Sequence, residues 1–314
     1  MKARYSGWLV AGILLLGLLP LIGGPYTLRL GTFACMYAVM SVSWHVIGGM
    51  AGYPSFATAA FFGLGAYAGG IVLANGAALL IALLVAGLIA FIGAMLLGSV
   101  LLRMRGHYFA IASLAVAEVL RELTNSATDL TGGGMGLNIP LSTAGGDGIL
   151  GEARFFFWAM WALLLMTVIV VLWVERSKIG FGLTCIRQNE AAADMIGVNA
   201  TLYKSFAFAL SGVFVAMAGT LYAGWVHYID PSDVYDILHS VKPIVMALLG
   251  GLGSTIGAVL GAFLFLGIEE AVWRNYLQVH SAVLGLLIVL LLLFLPNGVM
   301  SLRRRLRGIG SNHD

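Results

Sequence analysis

The chain has 314 residues, of which 60% are hydrophobic and 10% charged, and its mean hydropathy is +0.97. Water-soluble domains carry about 25% charged residues, so these values exclude one and identify an all-α integral membrane protein. A formal charge of +3 is too small to argue for nucleic acid, and Cys35, in an apolar run, and Cys185, in a charged segment, have neither metal-ligand spacing nor the look of a disulfide pair.

Lys2 and Arg4 precede the apolar run Trp8–Gly23. It reads as a first span and not as a cleaved leader, because no small-x-small site follows at Gly23-Gly24-Pro25 and more spans come after. A membrane helix needs about 20 apolar residues, and further spans are expected near Gly31–Ile47, Phe56–Leu73, Ala77–Leu101, His107–Leu123, Phe155–Val174, Ser205–Val226 and Ala282–Leu295. The run Val241–Ala271 would be about 45 Å long as one helix, too long for one upright crossing, and is expected to break at Gly250-Gly251-Leu252-Gly253-Ser254.

Lys and Arg concentrate on the cytoplasmic side of membrane proteins. Lys2/Arg4, Arg103/Arg105, the stretch Arg176–Lys204 and the tail Arg303-Arg304-Arg305-Leu306-Arg307 all fall inside only if Val241–Ala271 enters and leaves as a pair. This predicts about ten segments (8–10) with both termini cytoplasmic, in one permease domain over 1–314. Residues 175–204 then form a cytoplasmic loop, 303–314 a basic tail, and 124–154 and 227–240 outer loops, where Asp129, Asp147, Glu152, Asp230, Asp233 and Asp236 outnumber Arg154. Gly48-Gly49-Met50-Ala51-Gly52 leads into Gly63-Leu64-Gly65-Ala66, and Gly250-Gly251-Leu252-Gly253 leads into Gly257-Ala258 and Gly261-Ala262, a weak echo that suggests a two-fold internal repeat.

Broken helices at membrane depth can present backbone groups to a zwitterion, so Gly48, Gly49, Gly52, Gly250, Gly251, Gly253 and Ser254 are candidates for the substrate pathway; tight packing explains the same glycines more simply. Glu118, Arg121 and Glu122 lie at i, i+3 and i+4 on one segment, where Arg121 can neutralise both carboxylates. Glu269, Glu270 and Arg274 are expected at an outer rim, and His45, alone among apolar residues, as an interior histidine.

The longest cytoplasmic stretch carries most of the functional argument. Asn189 is a helix N-cap, Glu190 suits the first turn, and Gly197 stops the helix. Ala191, Ala192 and Ala193 give a smooth face that another backbone can approach, Met195 and Ile196 an apolar key, and Arg187 and Glu190 charges to fix its register; a helix lying on lipid headgroups fits the same pattern. Glu-Ala-Ala followed by Gly197 resembles the coupling motif of ABC-importer membrane subunits, with its later part degenerate. Arg105-Gly106-His107-Tyr108-Phe109-Ala110-Ile111, Leu130-Thr131-Gly132-Gly133-Gly134-Met135-Gly136-Leu137, Ile186-Arg187-Gln188-Asn189-Glu190, Leu249-Gly250-Gly251-Leu252-Gly253-Ser254 and Leu295-Pro296-Asn297-Gly298 stand in the order seen in LivM-type permeases of the branched-chain amino acid ABC transporter family. The resemblance covers about Trp44 to Arg305.

It implies a type II-like importer permease of the inner membrane that carries leucine, isoleucine and valine. The implied partners are two ABC ATPase subunits, a second homologous permease subunit and a periplasmic substrate-binding protein, with membrane lipid around them. Related permeases carry urea or short amides. No G-x-x-x-x-G-K-[ST] is present, and none of Lys2, Lys178, Lys204 and Lys242 stands in one, so ATP is expected to bind in partner subunits and the chain to be no enzyme and to hold no cofactor or metal. An ion-coupled carrier working alone would instead want a midplane carboxylate, for which Glu118 is the candidate.

Overall fold

The computed structural model describes residues 12–104, 106–140, 148–275 and 285. Lys2 and Arg4, the run Ala282–Leu295, the Leu295–Gly298 motif and the basic tail lie outside the described residues, as does the Arg274 side chain. The main helices are α1 (Pro25–Trp44), α2 (Thr58–Ala74), α3 (Leu79–Leu101), α4 (His107–Ser126), α5 (Ile149–Arg176), α6 (Lys178–Gln188), α7 (Glu190–Met195), α8 (Ala200–Val226), α9 (Leu238–Gly250) and α10 (Thr255–Asn275), with single-turn helices between some of them. A π-helical stretch, His45–Met50, extends α1.

Among the described residues five helices are long and apolar enough to cross a membrane, spanning Pro25–Met50, Leu79–Leu101, Leu150–Arg176, Ala200–Val226 and Thr255–Val272. The sequence led to an expectation of about ten. The physical reasons are local: α2 is apolar but 17 residues long, α9 has 13 residues, and α4 carries Glu118, Arg121 and Glu122. The long run does break where expected, between Gly250 and Thr255.

In lipid, helices gain little from apolar burial and associate through close packing and interhelical hydrogen bonds. Helix α8 is the hub. Facing pairs Phe61/Gly212, Gly65/Ala216, Gly69/Thr220 and Leu73/Gly224 keep one constant offset, so α2 and α8 run parallel. A Cβ on Gly65 would stand 2.1 Å from the Ala216 carbonyl, and Thr220 Oγ1 donates to the Gly65 carbonyl at 2.9 Å. Helix α3 runs the other way, since Gly87 faces Met217 while Gly98 faces Phe208. Its buried stripe, Ala82, Ala86, Ala90, Ala94 and Gly98, has four-residue spacing, while Leu80, Leu84, Leu88 and Leu96 point outward. Only 28% of this span is buried, against 89% of the α1 span, so α3 faces lipid and α1 is interior.

Helices α1 and α5 run parallel, because Gly31 faces Phe157 near one end and His45 meets Glu175 near the other. Helices α9 and α10 form an antiparallel hairpin in which Gly250 abuts Gly257 and Gly261 abuts Met246. One end of the bundle gathers the C-termini of α1, α3 and α5, the N-terminus of α8 and the α9–α10 turn. At the other end β1 (Leu137–Asn138) pairs antiparallel with β2 (Tyr228–Ile229), and the His227 ring meets the Glu152 carboxylate, so the described parts of 124–154 share that end with 227–240. These directions are the ones that alternate crossing of the expected runs requires.

Between Met50 and Thr58 the chain is unwound. Unpaired backbone groups are costly in an apolar interior, and neighbouring side chains take them here. Trp44 Nε1 donates to Ser55 O at 2.7 Å, Phe56 N to Ser113 Oγ at 2.8 Å, Ser240 Oγ to Phe56 O at 2.6 Å and Ala59 N to Ser240 Oγ at 2.9 Å.

Candidate functional site

The segment between α5 and α8 is a series of capped helices and not a loose connector. Ser177, in extended conformation, accepts from Ile179 N and Gly180 N and starts α6. Glycines at 180 and 182 weaken a helix reading of this stretch from the sequence, yet a Cβ at either would strike the Val174 carbonyl or the Tyr203 ring, so they serve packing. Asn189 then caps α7 by accepting from Ala192 N at 3.2 Å, as expected. Gly197, at φ 84°, stops that helix, and Asn199 caps α8 by accepting from Leu202 N at 3.0 Å. Helix α7 is thus fixed at both ends.

Under α7 lies a buried ion pair. Lys204, on the first turns of α8, is 2% exposed and donates to Glu190 Oε1 at 2.7 Å, Tyr53 Oη at 3.1 Å and Leu102 O at 3.1 Å. An ammonium has three N–H donors, and these contacts use all of them. Tyr53 donates in turn to Glu190 Oε2 at 2.6 Å, and the Lys204 ammonium lies 4.6 Å from the Tyr53 ring centre. One charge therefore ties α7, α8, the end of α3 and the unwound segment together. Breaking such a pair strands a charge in low dielectric, at a cost of about 3–5 kcal/mol.

Two charges expected on the outward face have partners within the chain. Glu190 and Arg187 engage their own chain: Glu190 is turned onto Lys204, and Arg187 Nη1 donates to the Gly49 carbonyl at 2.5 Å. Ala193 is 1% exposed, so only part of the alanine face stays open, with Ala191 exposed and Ala192 intermediate. Outward the segment presents polar residues, Gln188, Asn189 and Asp194, beside several large apolar ones. Met195 is 82% exposed and Ile196 67%, with Phe181 and Leu202 also exposed.

The glycine-rich stretches sit close by. Gly48 and Gly49 belong to the π-helical stretch, and Gly52, in left-handed backbone, lets the Arg187 side chain pass within 2.9 Å of where a Cβ would be. Gly250, Gly251, Gly253 and Ser254 end α9 and turn the chain into α10, whose first residue is held by another helix: Glu175 Oε1 accepts from Thr255 N at 3.2 Å and Thr255 Oγ1 at 2.5 Å. His45 Nε2 lies 3.3 Å from the same carboxylate, and its buried Nδ1 has no partner among the described residues, so within them the histidine is satisfied on one side only. Glu118, Arg121 and Glu122 lie apart on α4; Arg121 donates to Glu118, one of the two carboxylates expected within its reach, and Glu118 is 64% exposed. At the opposite end of the bundle Lys242 pairs with Glu269 at 2.7 Å, and Tyr26 donates to Glu270.

Sequence reading missed Lys204, Tyr53, Glu175 and Lys242. Two of them carried a signal: Lys204 stands immediately before the apolar run Ser205–Val226, and Lys242 is the lone cation near the start of Val241–Ala271, which ends beside Glu269-Glu270. Ionisable groups in spans pair with one another.

The protein-family profile described as "Branched-chain amino acid transport system / permease component" matches residues 26–295. The high-affinity branched-chain amino acid transport system permease protein LivM of Escherichia coli is 27% identical, over 95% of this chain and 75% of that protein. The LivH permease protein of the same system in Escherichia coli is 24% identical, over 86% of this chain and 92% of LivH. The autoinducer 2 import system permease protein LsrC of Yersinia enterocolitica is 27% identical, over 41% of this chain and 39% of LsrC. No solved structure matches the chain.

Proposed function

The chain belongs to the family of branched-chain amino acid transport system permease components, and from that premise we propose that it is the membrane-spanning subunit of an ATP-driven importer of leucine, isoleucine and valine. The observation that carries this reading is the segment after α5: a run of capped helices, locked to the bundle by Lys204, with Met195 and Ile196 turned outward. A rigid lever with an apolar tip can transmit a push to the helices it is tied to. ATPase closure would act on α7, and through Glu190, Lys204 and Tyr53 reach α8 and the unwound segment.

Two ATPase subunits, a second permease subunit and a periplasmic binding protein complete the assembly, in an inner membrane with both termini and residues 175–204 cytoplasmic. About ten segments in two related halves remain the topology this reading favours. The exposed position of Glu118, paired with Arg121, argues against an ion-coupled carrier built on it.

The test is the variant Met195→Asp/Ile196→Asp, which leaves the internal anchor intact. It is expected to insert normally and to lose co-purifying ATPase subunits and leucine uptake together. Wild-type uptake with the ATPases still bound would overturn the docking role.

A further inference from the structure

The two lysine–glutamate pairs of this protein differ in a way that points to a ligand. Lys204 is closed, 2% exposed with every donor used. Lys242 is open. Its ammonium has one protein acceptor among the described residues, Glu269 Oε1 at 2.7 Å, and the two side chains are 22% and 21% exposed. Two N–H donors are left over. On the carboxylate, Oε2 is buried and has no partner among the described residues. An unmatched carboxylate oxygen in an apolar setting is costly; it is closed off while Glu269 holds Lys242, and an incoming ammonium would satisfy it once that contact exchanges.

The surroundings favour a small charged guest. The pair bridges the two arms of the α9–α10 hairpin about 6 Å in from the start of α9, at the end of the bundle opposite α7. Tyr37 of α1 places its ring centre 5.4 Å from the Lys242 ammonium, and its hydroxyl lies 3.5 Å from His239 Nδ1, so the cation is flanked by an aromatic face. The adjacent Glu270 is engaged by Tyr26, which leaves Glu269 as the carboxylate for the site. A partly exposed salt bridge can exchange its internal partner for an external one of the same charge pattern.

We infer that Lys242 and Glu269 form a binding site for the charged ends of a zwitterionic α-amino acid on the outer side of the permease, Lys242 taking the carboxylate and Glu269 the ammonium. The site rests on the importer reading and adds to it the residues that would distinguish an amino acid from an uncharged cargo.

The experiment is ATP-driven uptake of labelled leucine into proteoliposomes holding the complete assembly and its binding protein. Lys242→Gln and Glu269→Gln are each expected to lower uptake about tenfold or more. The reversed pair Lys242→Glu/Glu269→Lys keeps a salt bridge but inverts the charge pattern, so uptake is expected to stay at the low level of the single variants while the assembly still forms. If the reversed pair restores wild-type uptake, the residues are a structural clasp and the inference falls. Should the reversed pair not assemble, the neutral pair Lys242→Gln/Glu269→Gln takes its place: low uptake by an intact assembly supports the site, and wild-type uptake overturns it. Failure of the wild-type assembly to import any branched-chain amino acid would instead overturn the importer reading and the site with it.

Discussion

Two glycine-rich breaks look alike in the sequence and are held by different forces. At Gly250–Ser254 the glycines and those that follow close a hairpin by bare backbone contact: a Cβ at Gly250 would stand 1.7 Å from the Gly257 carbonyl, and one at Gly261 would stand 1.9 Å from the Met246 carbonyl. At Gly48–Gly52 the backbone is held from a distance, by Arg187 on Gly49 O and, beyond it, by Trp44, Ser113 and Ser240 on the unwound segment. The first break is a packing device. The second is a joint, and one of its fasteners, Arg187, belongs to the segment read as the contact with the ATPase.

The comparison is broken most severely by adding one methyl group to the hairpin. Gly250→Ala or Gly261→Ala cannot be absorbed by a flexible side chain, since backbone carbonyls are in the way, and each is expected to cost more than about 3 kcal/mol. A large fall in the thermal midpoint of the detergent-solubilised protein checks this. Gly253→Ala, whose Cβ would meet nothing within 4 Å, is expected to leave the midpoint unmoved. Similar midpoints for Gly250→Ala and Gly253→Ala would refute close packing as the function of this break.

Removing the ion pair behind the joint comes next. Lys204→Met takes the buried ammonium away from the Glu190 carboxylate, 16% exposed, and is expected to cost about 3–5 kcal/mol. Amides over 187–199 should exchange with deuterium faster than in the wild type. Adding Glu190→Gln removes the unneutralised charge and should recover part of the stability without recovering uptake. Full recovery of uptake would show that the pair does not link α7 to the bundle.

The smallest effect sharpens the contrast. Arg187→Ala removes one hydrogen bond from a partly exposed cation to a carbonyl, worth about 1–2 kcal/mol. It should make residues 45–53 more open to protease while leaving the α9–α10 hairpin as resistant as before.

Membrane class, the places of most helices, the break at Gly250–Ser254 and the capping of α7 by Asn189 were all legible in the sequence, because hydropathy, helix length and capping act over a few neighbouring residues. The Glu118–Arg121 pair was legible for the same reason, being one helical turn long. Tertiary structure alone decided where the charges went. Glu190 finds Tyr53 and Lys204, Arg187 finds the Gly49 carbonyl, and Glu175 finds Thr255, each across a helix packing that no local pattern encodes. Ionisable groups in spans pair with one another, so the sequence required partners for Lys204 and Lys242; only the parallel packing of α2 on α8 and the antiparallel hairpin of α9 and α10 determined which partners lay within reach.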